Sequence, residues 1–394
     1  MVGWQQKIKN RNPQQFNSIN SLVNRQRAWV EIDLTTLAHN VRTLKNSLAA
    51  PTKLMAVVKA DAYGHGVIAV ATTALANGAD SLAIATLAEG VELRQAGINA
   101  PILILGAVNA PEDIKAIIAW QLEPTICSAQ QAKIYAAKSS QVSQSLSVHL
   151  KLDTGMSRLG TNWQKAVSFV KTVEDLSNLK ISSIYSHFAT AEERDSTMMN
   201  LQHQRFKTAI AQLKAAGCKI PKLHLANSAA TLGDHTTHYD QVRVGLSIYG
   251  LYPAPYLASR LDLKPVLKVK AKITQVKTIL AGEGISYGRK FVTTKDTKVA
   301  IVGIGYADGI PRSLSNQLQA IVAGSLVSQI GAITMDQLML NIDHLPNAQP
   351  GDIVTLIGQQ NNLSITADDW ANALGTISWE ILCSFKHRLP RVYL

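Results

Sequence analysis

Residues 54–78 read LMAVVKADAYGHGVIAVATTALANG. An unbroken apolar run, Leu54 to Val58, ends on Lys59. After Gly64 and Gly66 a second stretch carries apolar residues at helical spacing and stops at Asn77-Gly78. A short β-rich run followed by an amphipathic helix is the repeating unit of a parallel sheet buried on both faces. The same alternation extends outward from this stretch. SLAIAT precedes LAEGVELRQAG, PILILG precedes PEDIKAIIAW, and LEPTIC precedes SAQQAKIYAAK. SVHLKLD, KISSIYSH and KLHLAN follow with helical stretches of their own, and QVRVGLSIYG closes the series. Eight strands over roughly 230 residues match the size of a (β/α)8 TIM barrel. A doubly wound open sheet is the alternative, but no Gly-x-Gly-x-x-Gly follows the first strand to support it.

The rhythm breaks between Pro253 and Pro265. Beyond it lie KPVLKVKAKITQVKTI, KVAIVGIGY, QAIVAGSLVSQIGAI, QLMLNI and DIVTLIG, strand-like runs without long intervening helices. They predict a mainly β C-terminal domain. One late helix is expected, with Thr366 as N-cap and Asp368 and Asp369 in its first turn. The expected organisation is α/β: a polar, basic and poorly ordered extension over 1–26, a barrel over 27–258, and a β-rich domain over 259–394.

Of the 394 residues, 46% are hydrophobic and 17% charged, as in a soluble globular protein. No apolar run is long enough to span a bilayer. The first residues lack the apolar centre of a secretory leader, and the three cysteines, Cys127, Cys218 and Cys383, lie far apart. The expected compartment is the cytoplasm, with no membrane association and no metal site. The net charge of +12 raises the question of nucleic acid. Five of the basic residues (Lys7, Lys9, Arg11, Arg25 and Arg27) precede the first acid, and the others are scattered. No basic helix interleaved with aromatics supports a nucleic-acid partner.

In a barrel, chemistry sits at the C-terminal ends of the strands. Lys59 ends the first strand, Lys151 and Asp153 the fifth, His187 the sixth, Asn227 and Ser228 the seventh, and Arg243 and Gly245 the eighth. Singly each has a plain reading: a solvated strand tip, a satisfied core histidine, a helix cap. On one rim they suit a carbonyl cofactor. A partly desolvated lysine is a free amine able to form a Schiff base. The Ser228 hydroxyl and the amides of Gly245 and Leu246 suit a phosphate. Arg243 suits the pyridine nitrogen of pyridoxal 5'-phosphate, which an arginine leaves largely unprotonated.

AVVKADAYGHG, HLKLDTGMSRLG (149–160), YSHFATAEE (185–193), HLANSAATL (224–232), RVGLSIYGL (243–251), ISYGRKF (285–291), GIGYADG (303–309) and ITMDQ (333–337) together resemble the bacterial alanine racemases, in order, from about Trp29 to the last residue. The resemblance implies a fold III enzyme dependent on pyridoxal 5'-phosphate that interconverts L- and D-alanine and supplies D-alanine for peptidoglycan. It implies that Lys59 carries the cofactor and acts as base on the D-alanine side, with Tyr287 as the opposing base, donated by the second subunit of a homodimer. Tyr63, Ser228, Gly245 and Leu246 would contact the phosphate, and His187 would lie against the ring. From the residues themselves, Gly64 and Gly66 are expected to supply the tight turn between Lys59 and Tyr63. Arg158 would hold the cofactor's phenolic oxygen and the substrate carboxylate, with Met335 and Asp336 nearby from the partner. Lys151 matches a lysine carbamylated in several members, and Tyr306 lines the entrance.

Two positions depart from the pattern. His387 stands where several members have a tyrosine touching the phosphate, and Thr334 where some have cysteine. A broad-specificity amino-acid racemase of the same fold is the alternative function. A decarboxylase on the same barrel would need no tyrosine base, and a non-catalytic cofactor-binding protein would typically lack the β domain that carries GIGYADG and ITMDQ.

Overall fold

The first barrel strand, Lys53–Val57, pairs in parallel with Ser81–Ile84 on one side and with Gln241–Val244 on the other. Between them the pairing runs through Ile102–Ile104, Glu123–Ile126, Leu146–Asp153, Leu179–Tyr185 and Lys222–His224, each parallel to the next. The circle closes, so these eight strands form a barrel with no free edge. The structure is a computed structural model, and it describes residues 27–394. All eight barrel strands coincide with the apolar runs read from the sequence.

The helices between the strands carry the start signals that their sequences contain. Thr86 and Glu89 form a reciprocal capping box before Leu87–Gln95, Pro111 opens Pro111–Ala119, and Ser128 caps Ala129–Gln141. After the eighth strand comes only a short 3-10 turn, Leu246–Tyr249. Helix Leu34–Asn46 packs on that turn and on Val67–Ala76, taking the outer position that a helix after the eighth strand would occupy. The barrel unit spans Leu34–Val266.

The second unit combines the described residues up to Asp33 with Leu267–Leu394. Its hub is the strand Leu267–Ile279, where buried and solvent-facing residues alternate over the first half. It pairs antiparallel with Thr297–Val302 and with Ile353–Gln360. Strands Gln319–Val322 and Ser325–Ser328 form a hairpin whose two turn residues, Ala323 and Gly324, both have positive φ. Thr366 caps Ala367–Leu374 as the sequence predicts, with Asp369 reciprocating.

One boundary is corrected. The sequence reading starts the barrel at residue 27 and ends it at 258, but Ala28–Ile32 is not a barrel strand. It pairs antiparallel with 267–271 and parallel with Arg391–Tyr393. All five of its residues are buried, and the one acid among them, Glu31, is held by Lys270 at 2.7 Å and by the Trp29 indole at 3.0 Å. That diagonal cross-strand pair selects the hub strand as partner. The extension 1–26 lies outside the described residues. Among the described residues no helix is long and apolar enough to cross a membrane.

Candidate active site

Lys59 follows the first barrel strand directly. Val58 still donates to the Ala83 carbonyl at 2.8 Å, and beyond it the backbone changes hand. Ala60, Asp61, Ala62 and Tyr63 all lie in the left-handed region, with φ between 51° and 55°. Each such residue costs about 1–2 kcal/mol relative to a right-handed turn. Glycines 64 and 66 were the expected source of the turn; it begins four residues before the first of them. The turn is held from outside. Glu89 accepts from the Ala60 amide at 2.7 Å, and Asp61 accepts from the Val67 amide at 2.8 Å, anchoring the following helix. Strain maintained in this way fixes where Lys59 leaves the strand and where Tyr63 points.

Tyr63 points to the eighth strand. A Cβ on Gly245 would lie 2.6 Å from the Tyr63 hydroxyl, so only glycine fits there. The Gly245 amide donates to Ser228 Oγ at 3.1 Å. Ser228 is placed by Asn227, which caps the short helix Ser228–Gly233 through the Ala230 amide. Tyr63, Ser228, Gly245 and the adjoining Leu246 thus form a compact cradle of hydroxyls and amides at the barrel mouth. Hydroxyls and amides suit a phosphate.

Arg243 is buried beside this cradle. One terminal nitrogen donates to His224 Nδ1 at 2.8 Å. The other reaches the carbonyls of Ser186 at 2.8 Å and Leu225 at 3.1 Å, and His187 Nδ1 at 3.1 Å. The guanidinium carbon stands 5.1 Å from the centroid of the Tyr185 ring. Burial lowers its pKa to about 10. His187 is held well below its ordinary value by burial and then by Arg243, so it is neutral at physiological pH. Lys151, also buried, is brought down to about 8 by burial and then by the same guanidinium. Arg158 is exposed on the loop after the fifth strand, where Asp153 accepts from the Gly155 and Ser157 amides. Its positive field lowers the pKa of Lys151 and His187.

Tyr287, Tyr306, Met335 and Asp336 belong to the second unit, which draws them together by its own loops. Tyr287 is 73% exposed and follows Ser286, whose hydroxyl donates to the Ala332 carbonyl at 2.7 Å. The amides of Tyr306 and Ala307 donate to the carbonyls of Thr334 and Met335, each at 3.0 Å. That contact requires Gly305, since a Cβ there would lie 2.3 Å from the Thr334 oxygen. Asp336 accepts from Arg388 at 2.7 Å, and His387 is exposed next to it. Beneath these loops Asp308 is buried and takes a paired contact from Arg27 at 2.6 and 2.7 Å and the Gly305 amide at 3.0 Å. Asp308 and Arg388 were not singled out from the sequence, although GIGYADG contains the buried acid, and Arg27 was read only as part of the basic N-terminal cluster.

Residues 32–253 match the family model "Alanine racemase, N-terminal domain", and residues 266–393 match "Alanine racemase, C-terminal domain". The chain belongs to the alanine racemase family. An alanine racemase from Nostoc sp. is 60% identical over 369 residues, covering 93% of this chain and 96% of the relative. One from Synechocystis sp. is 59% identical over 370 residues, covering 94% of this chain and all of the relative. Among solved structures, the alanine racemase of Clostridium difficile 630 superposes with a TM-score of 0.89 at 36% identity, covering 94% of this chain and 96% of that one. That of Bacillus anthracis with bound L-Ala-P gives 0.88 at 35%, covering 94% and 95%. Each of these matches extends over both units of the chain.

Proposed function

We propose that Lys59 and Tyr287 are the two proton-transfer groups with which this racemase inverts alanine, and that the active site forms between two copies of the chain. The enzyme interconverts L- and D-alanine and depends on pyridoxal 5'-phosphate. The observation that carries the site assignment is the juxtaposition of Arg243 with the Tyr63–Ser228–Gly245 cradle. It provides an arginine for the ring nitrogen and a hydroxyl-and-amide cup for the phosphate of one cofactor.

When bound, the cofactor draws electrons from the α-carbon of alanine and so acidifies its C–H bond. The chain's own groups do the rest. The Lys59 amine accepts or delivers the proton on one face of the α-carbon, and the phenol oxygen of the partner subunit's Tyr287 does so on the other. Inversion follows because a proton taken on one face is returned on the opposite face. Arg243 would donate a hydrogen bond to the ring nitrogen of the bound cofactor without surrendering its proton, and neutral His187 would add no charge beside the ring. Arg158 holds the substrate carboxylate, with Met335 and Asp336 of the partner beside it. A carbamate on Lys151 would give Arg158 an anion to orient against, and Tyr306 narrows the approach. The partnership is a homodimer and its compartment the cytoplasm, where D-alanine enters peptidoglycan synthesis.

The test is direct. The purified protein supplied with pyridoxal 5'-phosphate should form D-alanine from L-alanine in an assay coupled to a D-amino-acid oxidase. Borohydride reduction followed by peptide mass mapping should place the cofactor on Lys59. Cofactor attached to another lysine, or D-alanine formation undiminished in Lys59→Ala, would refute the assignment.

A further inference from the structure

A line of hydrogen-bonded side chains crosses the inside of the barrel from one mouth to the other. It starts at Arg243, which donates to His224 Nδ1 at 2.8 Å. His224 Nε2 meets Ser183 Oγ at 2.7 Å, Ser183 Oγ meets His149 Nδ1 at 2.6 Å, and His149 Nε2 meets Glu123 Oε2 at 2.6 Å. His149, Ser183, His224 and Arg243 are all buried. Glu123 is the first residue of the fourth barrel strand and so belongs to the N-terminal mouth, opposite the active site. There it borders a cavity of about 270 Å³ with Lys53, Ser81, Lys222 and Gln241, which begin four other barrel strands.

Both ends of this line admit one role only. Guanidinium nitrogens only donate, and an ionised carboxylate only accepts. His224 is kept neutral by burial and then by Arg243, so accepting at Nδ1 leaves its proton on Nε2. That proton goes to Ser183, whose own proton is then available to His149 Nδ1. His149 in turn carries its proton on Nε2 and donates it to Glu123. Every donor points the same way, from Arg243 towards the carboxylate. Burial alone would raise the Glu123 pKa, but His149, Lys222 and Arg94 together outweigh it and hold the group below its usual value. The accepting end is therefore ionised at neutral pH. The reversed line would put a His224 N–H against a guanidinium N–H.

We propose that Glu123 is a positioning residue for the reaction at the opposite mouth: through His149 and Ser183 it holds in place the His224 ring that receives Arg243, and so the aim of the guanidinium. The N-terminal face of such a barrel ordinarily contributes stability alone; here its carboxylate anchors the far end of a line that reaches the site. The inference rests on the reading of Arg243 as the partner of the cofactor's ring nitrogen.

The test uses histidine-labelled holoenzyme and long-range proton–nitrogen correlation spectra, which report the tautomer of each ring. The wild-type protein should show His149 and His224 both protonated at Nε2 alone. In Glu123→Gln the side-chain amide can donate as well as accept, so His149 should lose that single tautomer, while His224 keeps its own because Arg243 only donates to Nδ1. The turnover number should fall about fivefold to tenfold, with the KM for alanine changed less than about twofold. Ser183→Ala cuts the line midway: turnover should fall as in Glu123→Gln, while His149, still facing Glu123, and His224, still receiving from Arg243, both keep their tautomers. Unchanged tautomers and turnover in Glu123→Gln would overturn the proposal, and so would a lowered melting temperature in that variant with the His149 tautomer unchanged. Cofactor found on a lysine other than Lys59 would refute the functional reading by itself, because the histidine signals judge the line independently of it.

Discussion

The Nζ atom of Lys151 lies 5.5 Å from the centroid of the Tyr185 ring, over which the Arg243 guanidinium is also placed. Two basic groups therefore share one buried aromatic surface. Burial, then Arg243, brings the amine to about 8, so about a tenth of it is uncharged at pH 7 and about half at pH 8. An uncharged amine attacks carbon dioxide: the N–C bond forms, a proton leaves to solvent, and a carbamate anion remains. With 13C-bicarbonate at pH 8 the protein should acquire a carbamate carbon signal that is absent from Lys151→Met. No difference between the two proteins would remove Lys151 as the site.

The same shift has a stability consequence in buffer free of carbon dioxide. Lys151 in the folded chain titrates at about 8, and its ordinary value is 10.5. Between those values the unfolded chain binds more protons than the folded one, so stability rises with pH across that window. Below pH 8 the cost of holding the charged amine is fully present, about 3 kcal/mol. Lys151→Met should therefore gain more stability relative to wild type at pH 7 than at pH 10.5, by about 2–3 kcal/mol. Urea unfolding at the two pH values measures the difference.

Gly245→Ala should loosen the cofactor. Its Cβ would meet the Tyr63 hydroxyl at 2.6 Å, whereas the next atom of that ring is 3.1 Å away. The apparent dissociation constant for pyridoxal 5'-phosphate should rise about tenfold or more, which is a loss of roughly 1.4 kcal/mol. In a Tyr63→Phe background the added methyl meets no hydroxyl, so the further loss should be smaller. Fluorescence titration of the cofactor into the four proteins gives the coupling.

Asp308→Asn should weaken the second unit. It removes a buried charge and leaves Arg27, which is about one-third exposed, with a neutral partner. The expected loss is about 2 kcal/mol, below that of a fully buried pair because solvent reaches the guanidinium. Asp308 also accepts from the Gly305 amide, next to Tyr306. The KM for alanine should therefore rise along with the loss of stability, read by steady-state kinetics and urea unfolding.

The barrel was legible because a strand buried on both faces is written locally, as an apolar run followed by a helical period. Ala28–Ile32 is written in the same way, and its membership of the other sheet depends on partners near residues 270 and 392. Periodicity carries no information about such partners. The rim residues were legible as strand-end polar groups and through their motifs. The left-handed turn at Ala60–Tyr63 was not, since no glycine occupies those four positions and the hydrogen bonds that hold it come partly from Glu89. Glu123, His149, Ser183 and His224 were missed because each looks like an ordinary polar residue in its strand. Their one signal is that polar groups recur inside strands otherwise apolar on both faces, and only closure of the barrel brings them into line.

The two-base assignment is the centre of the account, and exchange of the α-proton of alanine in D2O tests it most directly. In Tyr287→Phe, D-alanine should still exchange its α-proton through Lys59, L-alanine should not, and racemisation should cease in both directions. Followed by proton NMR on each enantiomer separately, loss of the signal from D-alanine alone is the predicted result. Equal exchange from both enantiomers, or loss of exchange from both, would contradict it.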